Sequence, residues 1–242
     1  MRLLALMVAL CPVLASADEI TVLSGGAARA FVEPMARSFS AHRVKLEWQP
    51  MGKLTQSLAA GHPADMVIVT SEALPALQQS GKVSQGKPIA RVGIGVAVNE
   101  KAPNPDIATP EALKRTLLAA KSVVYIDPKT GTSGKHVEEM FSRLGILEEM
   151  RAKATLGQGG YVTEPVGRGE IELGIHQISE ILPVKGVRLV GPLPPELQKY
   201  TVYVAAPVTN TAKQSAVNDF ISYLTSASAR QRLTQAGYSA PE

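Results

Sequence analysis

The sequence is short of sulfur, of aromatic rings and of any strong excess of one charge. It has a single cysteine in 242 residues, Cys11, which lies in an apolar run at the N-terminus. No disulfide framework can be built from it, so packing must supply the stability. Aromatic residues make up 5% of the chain, too few for platforms that stack bases or sugar rings. The formal net charge is +4, far from the dense basic patches of nucleic-acid binders. No nucleic-acid partner is therefore expected, while a mild positive excess suits small anions. His42, His62, His136 and His176 show no metal-ligand spacing, and no metal site is expected. His42 and His62 read as loop residues, and His136 as an exposed residue in the first turn of a helix. Nucleotide fingerprints are missing too. Ser24-Gly25-Gly26-Ala27 does not continue as a dinucleotide-binding glycine motif. Gly131-Thr132-Ser133-Gly134-Lys135 has two residues between its glycines where a phosphate loop has four, and His136 stands where a hydroxyl residue belongs. No cofactor is expected.

What is present begins with an export signal. Arg2, the apolar run Leu3 to Leu14 and the end Ala15-Ser16-Ala17 form the three parts of a secretory signal peptide. The apolar part is shorter than the roughly 20 residues of a membrane-spanning helix. Leu10 precedes Cys11 where a lipoprotein anchor needs a small residue. Cleavage after Ala17 would remove residues 1–17 with Cys11 and leave 225 residues carrying a net charge of +3. The expected product is a periplasmic protein of one large domain or two small ones.

Strand and helix signals then alternate to the C-terminus. Apolar runs occur at Ile20–Leu23, Met66–Val69, Val92–Val98, Val123–Ile126, Leu173–Ile175, Val187–Val190 and Thr201–Ala205. Between them lie helical segments. Thr109-Pro110-Glu111 reads as a capped helix start, and Val137–Leu144 as a helix ended by Gly145. Glu164–Arg168 reads as a short helix closed by Gly169. Thr211–Leu224 and Ala227–Ala236 are amphipathic, the second stopped by Gly237. The pattern predicts an α/β fold of mainly parallel sheets flanked by helices. Two proline-rich breaks, Asn99–Pro105 and Gly191–Pro195, bracket a central segment. They are compatible with a discontinuous first lobe, 18–98 with 199–242, and a second lobe, 99–198. One continuous doubly wound sheet is the other arrangement the pattern allows.

Three turns stand out as anion sites. Ser24-Gly25-Gly26, Met51-Gly52-Lys53 and Thr132-Ser133-Gly134 each sit where a strand hands over to a helix. Backbone N–H groups there are unpaired within the helix and lie at its positive end. Arg29, near the start of the first helix, and Lys53 add charge that suits carboxylates.

The segments "ITVLSGGAARAFVEPMARSF", "LTQSLAAGHPADMVIVTSEALPAL", "VGRGEIELGIHQISEI" and "FISYLTSASARQRLTQAGY", in this order, resemble the periplasmic molybdate-binding proteins of ABC importers. Gly61-His62-Pro63-Ala64-Asp65 carries the most specific part of that likeness. The resemblance implies a type 2 periplasmic binding protein, two-lobed, monomeric, with an anion in the cleft between lobes and an importer as partner. It also implies differences at the site. The serine of the first turn in that family is Gly26 here, its serine-rich second turn is Met51-Gly52-Lys53, and a tyrosine of the second lobe is Gln177. Lost hydroxyls and gained cations point to a larger anion than molybdate, an organic carboxylate of citrate or aconitate size.

"PDIATPEALKRTLLAAKSVVY" and "LVGPLPPELQKYTVY", with the Ser-Gly-Gly turn, resemble more closely a subgroup that includes aconitate isomerase. An allylic proton shift needs a base, an acid for the return step and cations for the developing carbanion. His176, after Leu173-Gly174-Ile175, is a candidate base, or else a histidine held by hydrogen bonds. Tyr161 and Glu164 are candidate helpers, or else a cap residue and a surface acid. Three readings follow: a receptor delivering an organic carboxylate to an importer, an aconitate isomerase on the same fold, and an oxyanion receptor.

Overall fold

The computed structural model describes residues 17–241. The expected signal peptide lies outside the described residues except for Ala17. The chain runs through β1 (Glu19–Gly25), α1 (Arg29–Ser38), β2 (Arg43–Gln49), α2 (Met51–Ala59), β3 (Met66–Thr70), α3 (Leu74–Gln79), β4 (Lys87–Val92) and β5 (Ile94–Asn99). It continues through α4 (Pro110–Ala119), β6 (Val123–Ile126), α5 (Thr132–Leu144), α6 (Leu147–Ala152), β7 (Ala154–Gly157), α7 (Glu164–Gly167), β8 (Leu173–Gln177) and α8 (Ile178–Ile181). It ends with β9 (Val187–Pro192), β10 (Thr201–Pro207), α9 (Gln214–Leu224) and α10 (Ala227–Gln235). The helix punctuation works as its residues require. The Thr109 hydroxyl accepts from the Ala112 N–H ahead of Pro110. Gly145 and Gly237 end α5 and α10 at φ 67° and 81°, a region that favours glycine.

Among the described residues the strands form two five-stranded sheets, β2-β1-β3-β10-β4 and β7-β6-β8-β5-β9. The two share one plan. In each, the first three strands are parallel, and a fourth strand joins antiparallel to both its neighbours. That inserted strand, β10 or β5, is the one arriving from the other lobe. Each sheet is therefore mainly parallel, four of its five strands running one way, with a single crossing strand running against them.

The crossing falls inside one apolar run of the sequence. The apolar run Val92–Val98 is two strands in two sheets, parted at Gly93, so β5 pairs with β8 and β9 of the second sheet. Apolar residues on both sides of Gly93 hide the change in sequence. Gln198, on the returning segment, accepts from the Ile94 N–H and donates to the Ile94 carbonyl, both at 2.8 Å. The two crossing segments are thus hydrogen-bonded to each other.

Alternation along the strands builds a core on each face of each sheet. Ile20, Val22, Met66 and Ile68 face one side of the first sheet, and Leu23, Val67 and Val69 the other. In the second sheet Val123 and Tyr125 face one side, and Val124 and Ile126 the other. Asp65 closes the first lobe. Its carboxylate accepts from the Thr21 N–H at 2.8 Å, the Thr211 hydroxyl at 2.8 Å and Lys213 Nζ at 3.1 Å. Burial would push this carboxyl up, but those three donors together hold it below the usual carboxylate range.

Candidate functional site

A cleft of about 280 Å³ lies between the lobes, lined from both sheets. Its first-lobe wall begins where β1 ends. Gly25 and a tight turn, Gly26–Ala28, lead into α1. A side chain on Gly25 would begin 2.6 Å from Met51 Cε, so the first turn and the start of α2 pack directly together. The second-lobe wall is the first turn of α5 and the glycine pair Gly159-Gly160, which sits at φ 135° and 70°. Gly134 is pressed against the end of β6: a Cβ there would lie 2.2 Å from the Ile126 carbonyl oxygen. This contact presents the N-terminal end of α5, with Thr132 and Ser133, to the cleft.

Of the residues expected to bind, Gly25, Gly26, Arg29, Met51, Thr132, Ser133 and Gln177 line this cleft, together with Tyr161. The others stand elsewhere. Ser24 is fully buried, and its hydroxyl donates to the Gly25 carbonyl at 3.1 Å. Gly52 is not among the lining residues, and a side chain on it would begin 3.9 Å from the Thr130 carbonyl oxygen. Lys53 is exposed. Leu54 and Leu58 bury one face of α2 and Met51 takes the cleft position, which leaves Lys53 on the outer face. Gly134 serves the helix start rather than the cavity. Glu164 is exposed in the first turn of α7, off the cleft wall. His176 is completely buried behind the wall. His136, expected to be exposed, is buried and meets Glu72 of the first lobe, Nε2 to Oε1, at 3.3 Å.

The cation of the cleft is Arg29. Its guanidinium sits 4.9 Å above the Trp48 ring centre, a stacking that orients the fork and leaves its edge free for a carboxylate. Hydroxyls of Thr70, Thr130, Thr132, Ser133 and Tyr203 belong to residues lining the same space. The Tyr203 hydroxyl donates to Gln177 Oε1 at 3.0 Å, and Gln177 Nε2 donates to Thr201 at 2.8 Å. Burial, with the Glu180 charge nearby, pushes the Tyr203 phenol well up, so it stays protonated.

One acidic residue enters the same cleft, Glu180. His176 Nε2 lies 2.9 Å from Glu180 Oε2, with side-chain exposures of 1% and 9%. The same Nε2 lies 3.2 Å from the Gly160 carbonyl oxygen, and Nδ1 lies 3.2 Å from Ser133 Oγ. Nε2 is thus flanked by two acceptors and must carry the hydrogen. Nδ1 shares a hydrogen bond with the Ser133 hydroxyl. Ser133 is hydrogen-bonded to His176, and His176 stands in close contact with Glu180, so the three form one connected group with both ends at the cleft wall. Glu180 and Trp48 were not singled out from sequence. The only sequence sign of Glu180 is its place four residues after His176, across a strand end. Among the described residues no group of three or more His, Cys, Asp and Glu side chains could hold a metal ion.

Comparison with known proteins agrees with this geometry. The family profile of bacterial extracellular solute-binding proteins matches residues 20–239. An aconitate isomerase from a Pseudomonas species is 34% identical over 248 aligned positions, covering 96% of this chain and 93% of that protein. A periplasmic molybdate-binding protein from Azotobacter vinelandii superposes with a TM-score of 0.78 at 16% identity, over 92% of this chain and 100% of that one. A sulfate-binding protein from Mycobacterium tuberculosis H37Rv superposes with a TM-score of 0.74 at 18% identity, over 93% of this chain and 88% of that one. At such identities the structural likeness establishes the two-lobed fold and nothing finer.

Proposed function

The chain belongs to the bacterial extracellular solute-binding protein family, and we propose that its cleft binds an aconitate-like tricarboxylate and interconverts the cis and trans isomers by an allylic proton shift. One observation carries this reading: Arg29 and Glu180 face the same cleft. A receptor that only holds a polyanion gains nothing from a carboxylate in its cavity, which repels the ligand. An enzyme that moves a proton needs such a group beside the cation that holds the substrate. The full-length likeness to an aconitate isomerase supports the same chemistry, and family membership agrees with export by residues 1–17. The lobes of this reading are residues 18–92 with 201–241, and 94–192, hinged at the two crossings.

A second reading keeps the family's binding role, in which a monomer holds an organic carboxylate and passes it to an ABC importer. A cleft between two lobes joined by crossing segments favours it. Incubation of the purified mature protein with cis-aconitate, followed by NMR, separates the two. Appearance of the trans isomer supports the enzyme. A ligand-induced rise in melting temperature without turnover leaves the receptor. In either case molybdate is expected to bind at least about tenfold more weakly than the carboxylate, a gap of about 1.4 kcal/mol. Tight molybdate binding without a carboxylate response would return the protein to the oxyanion receptors.

A further inference from the structure

Resting on the isomerase reading, we propose that Glu180 is the catalytic base, that its Oε1 both removes and returns the migrating proton on one face of the substrate, and that His176 and Ser133 are positioning residues holding the carboxylate from behind. The two oxygens of Glu180 have different surroundings. Oε2 lies 2.9 Å from His176 Nε2, whose hydrogen bond goes to the Gly160 carbonyl. Oε1 points toward the first glycine turn, 3.8 Å from where a side chain on Gly26 would begin. Only Oε1 is open to a ligand seated on that turn. His176 cannot take the role expected of it, because the ring is completely buried and both nitrogens are engaged.

The proposed step balances without a further reactant. Oε1 takes a proton from the methylene carbon of the substrate. The C–H electron pair spreads over the allyl unit and its attached carboxylates. The neutral Glu180 acid then returns the proton to the far allyl carbon, and the double bond moves by one position. Both carbons flank the same central carbon, so a single carboxylate can serve them from one side. Arg29, on the first-lobe wall, pairs with a substrate carboxylate and stabilises the charge that develops. Ser133 at Nδ1 and the Gly160 carbonyl at Nε2 fix the ring, and the fixed ring backs Oε2 at 2.9 Å. Glu180 therefore keeps one orientation while Oε1 gains and loses the proton.

A base this sheltered, with 9% of its side chain exposed, exchanges slowly with water. Turnover in D2O should therefore give product in which part of the migrating hydrogen is still protium at early conversion. Glu180→Gln should lower kcat by at least about a hundredfold, the usual contribution of a positioned base, while the ligand-induced rise in melting temperature persists and shows that the variant is folded and binds. His176→Gln should lower kcat about tenfold, leave KM within about twofold, and displace the acid limb of the pH profile, which a merely structural role would not do. Wild-type turnover with an undiminished Glu180→Gln kcat would overturn the base assignment and leave the isomerase reading standing. Complete deuterium incorporation at the earliest time points would overturn the single sheltered base. Absence of turnover by the wild type, with binding intact, would overturn both the assignment and the reading beneath it.

Discussion

Glu180 Oε1 stands 3.8 Å from the point at which a side chain on Gly26 would begin. The two residues come from different lobes in sequence, one from the turn after β1 and the other from α8 after β8. They meet because α8 packs onto the first-lobe turn: the Ser179 hydroxyl donates to the Ala27 carbonyl at 3.2 Å, and the Tyr238 hydroxyl donates to the same carbonyl. The glycine leaves open the space that the carboxylate faces.

That relationship predicts the effect of Gly26→Ser. A Cβ at ordinary contact distance should be tolerated, with stability changed by about 1 kcal/mol or less. The hydroxyl would reach into the space before Glu180 and occupy the ligand's place. The expected outcome is a loss of about tenfold or more in carboxylate affinity or kcat/KM with little change in the urea midpoint. Unchanged affinity would show that the ligand does not sit on this turn.

The charges at the site predict a second contrast. Arg29→Ala should weaken carboxylate binding by about tenfold or more, since a charge-assisted hydrogen bond contributes roughly 1.5–3 kcal/mol. Arg29→Lys should recover only part, because an ammonium loses the planar fork and its stacking on Trp48. Lys53→Ala, at an exposed position, should change affinity by less than about twofold. Calorimetry on the three variants checks the order. A large effect at Lys53 with none at Arg29 would reverse the assignment of the cleft cation.

The three turns were legible in sequence as glycine-bearing junctions of strand and helix, a local feature. What was illegible depends on packing between distant segments. Lys53 and Met51 share one turn of α2, and only the burial of Leu54 and Leu58 decides which of them faces the cleft. Glu180 lies on a four-residue helix, and its pairing with His176 exists only because β8 ends at Gln177 and the chain turns there. The split of Val92–Val98 at Gly93 is invisible to hydrophobic pattern, since both halves are buried strands. The Gly61–Asp65 element was readable as a motif and proves to be structural: Asp65 joins β1 to the C-terminal segment and is not part of the cleft lining.

Asp65→Ala should accordingly cost stability rather than function. It leaves the Thr21 N–H and the Thr211 hydroxyl without their shared acceptor, and a loss of about 2–3 kcal/mol in urea unfolding is expected. The Lys213 pair, with 38% of the lysine side chain exposed, adds little. Because the folded carboxyl titrates below its ordinary value, its contribution is full above that value and falls away as pH drops through the folded value. A change of under about 0.5 kcal/mol would mean that the three donors find other partners.

The last prediction concerns the bridge between lobes at His136. Burial first, then the Lys199 charge, push this imidazole below its ordinary value of 6.5, against the opposing pull of Glu72 and Glu139. The folded protein therefore binds fewer protons here than the unfolded chain wherever the pH lies between the folded value and 6.5. By linkage, stability rises with pH across that window; it is complete above the ordinary value and is lost progressively below it. His136 Nδ1 is buried without a hydrogen-bond partner, so a proton added there gains no partner within the fold. Melting temperatures from about pH 8 down to pH 5 should fall for the wild type over the lower part of that range. His136→Gln has no titrating ring and can still donate to Glu72, so its melting temperature should fall less steeply there. Parallel curves for the two proteins would show that His136 does not titrate in the fold as its burial requires.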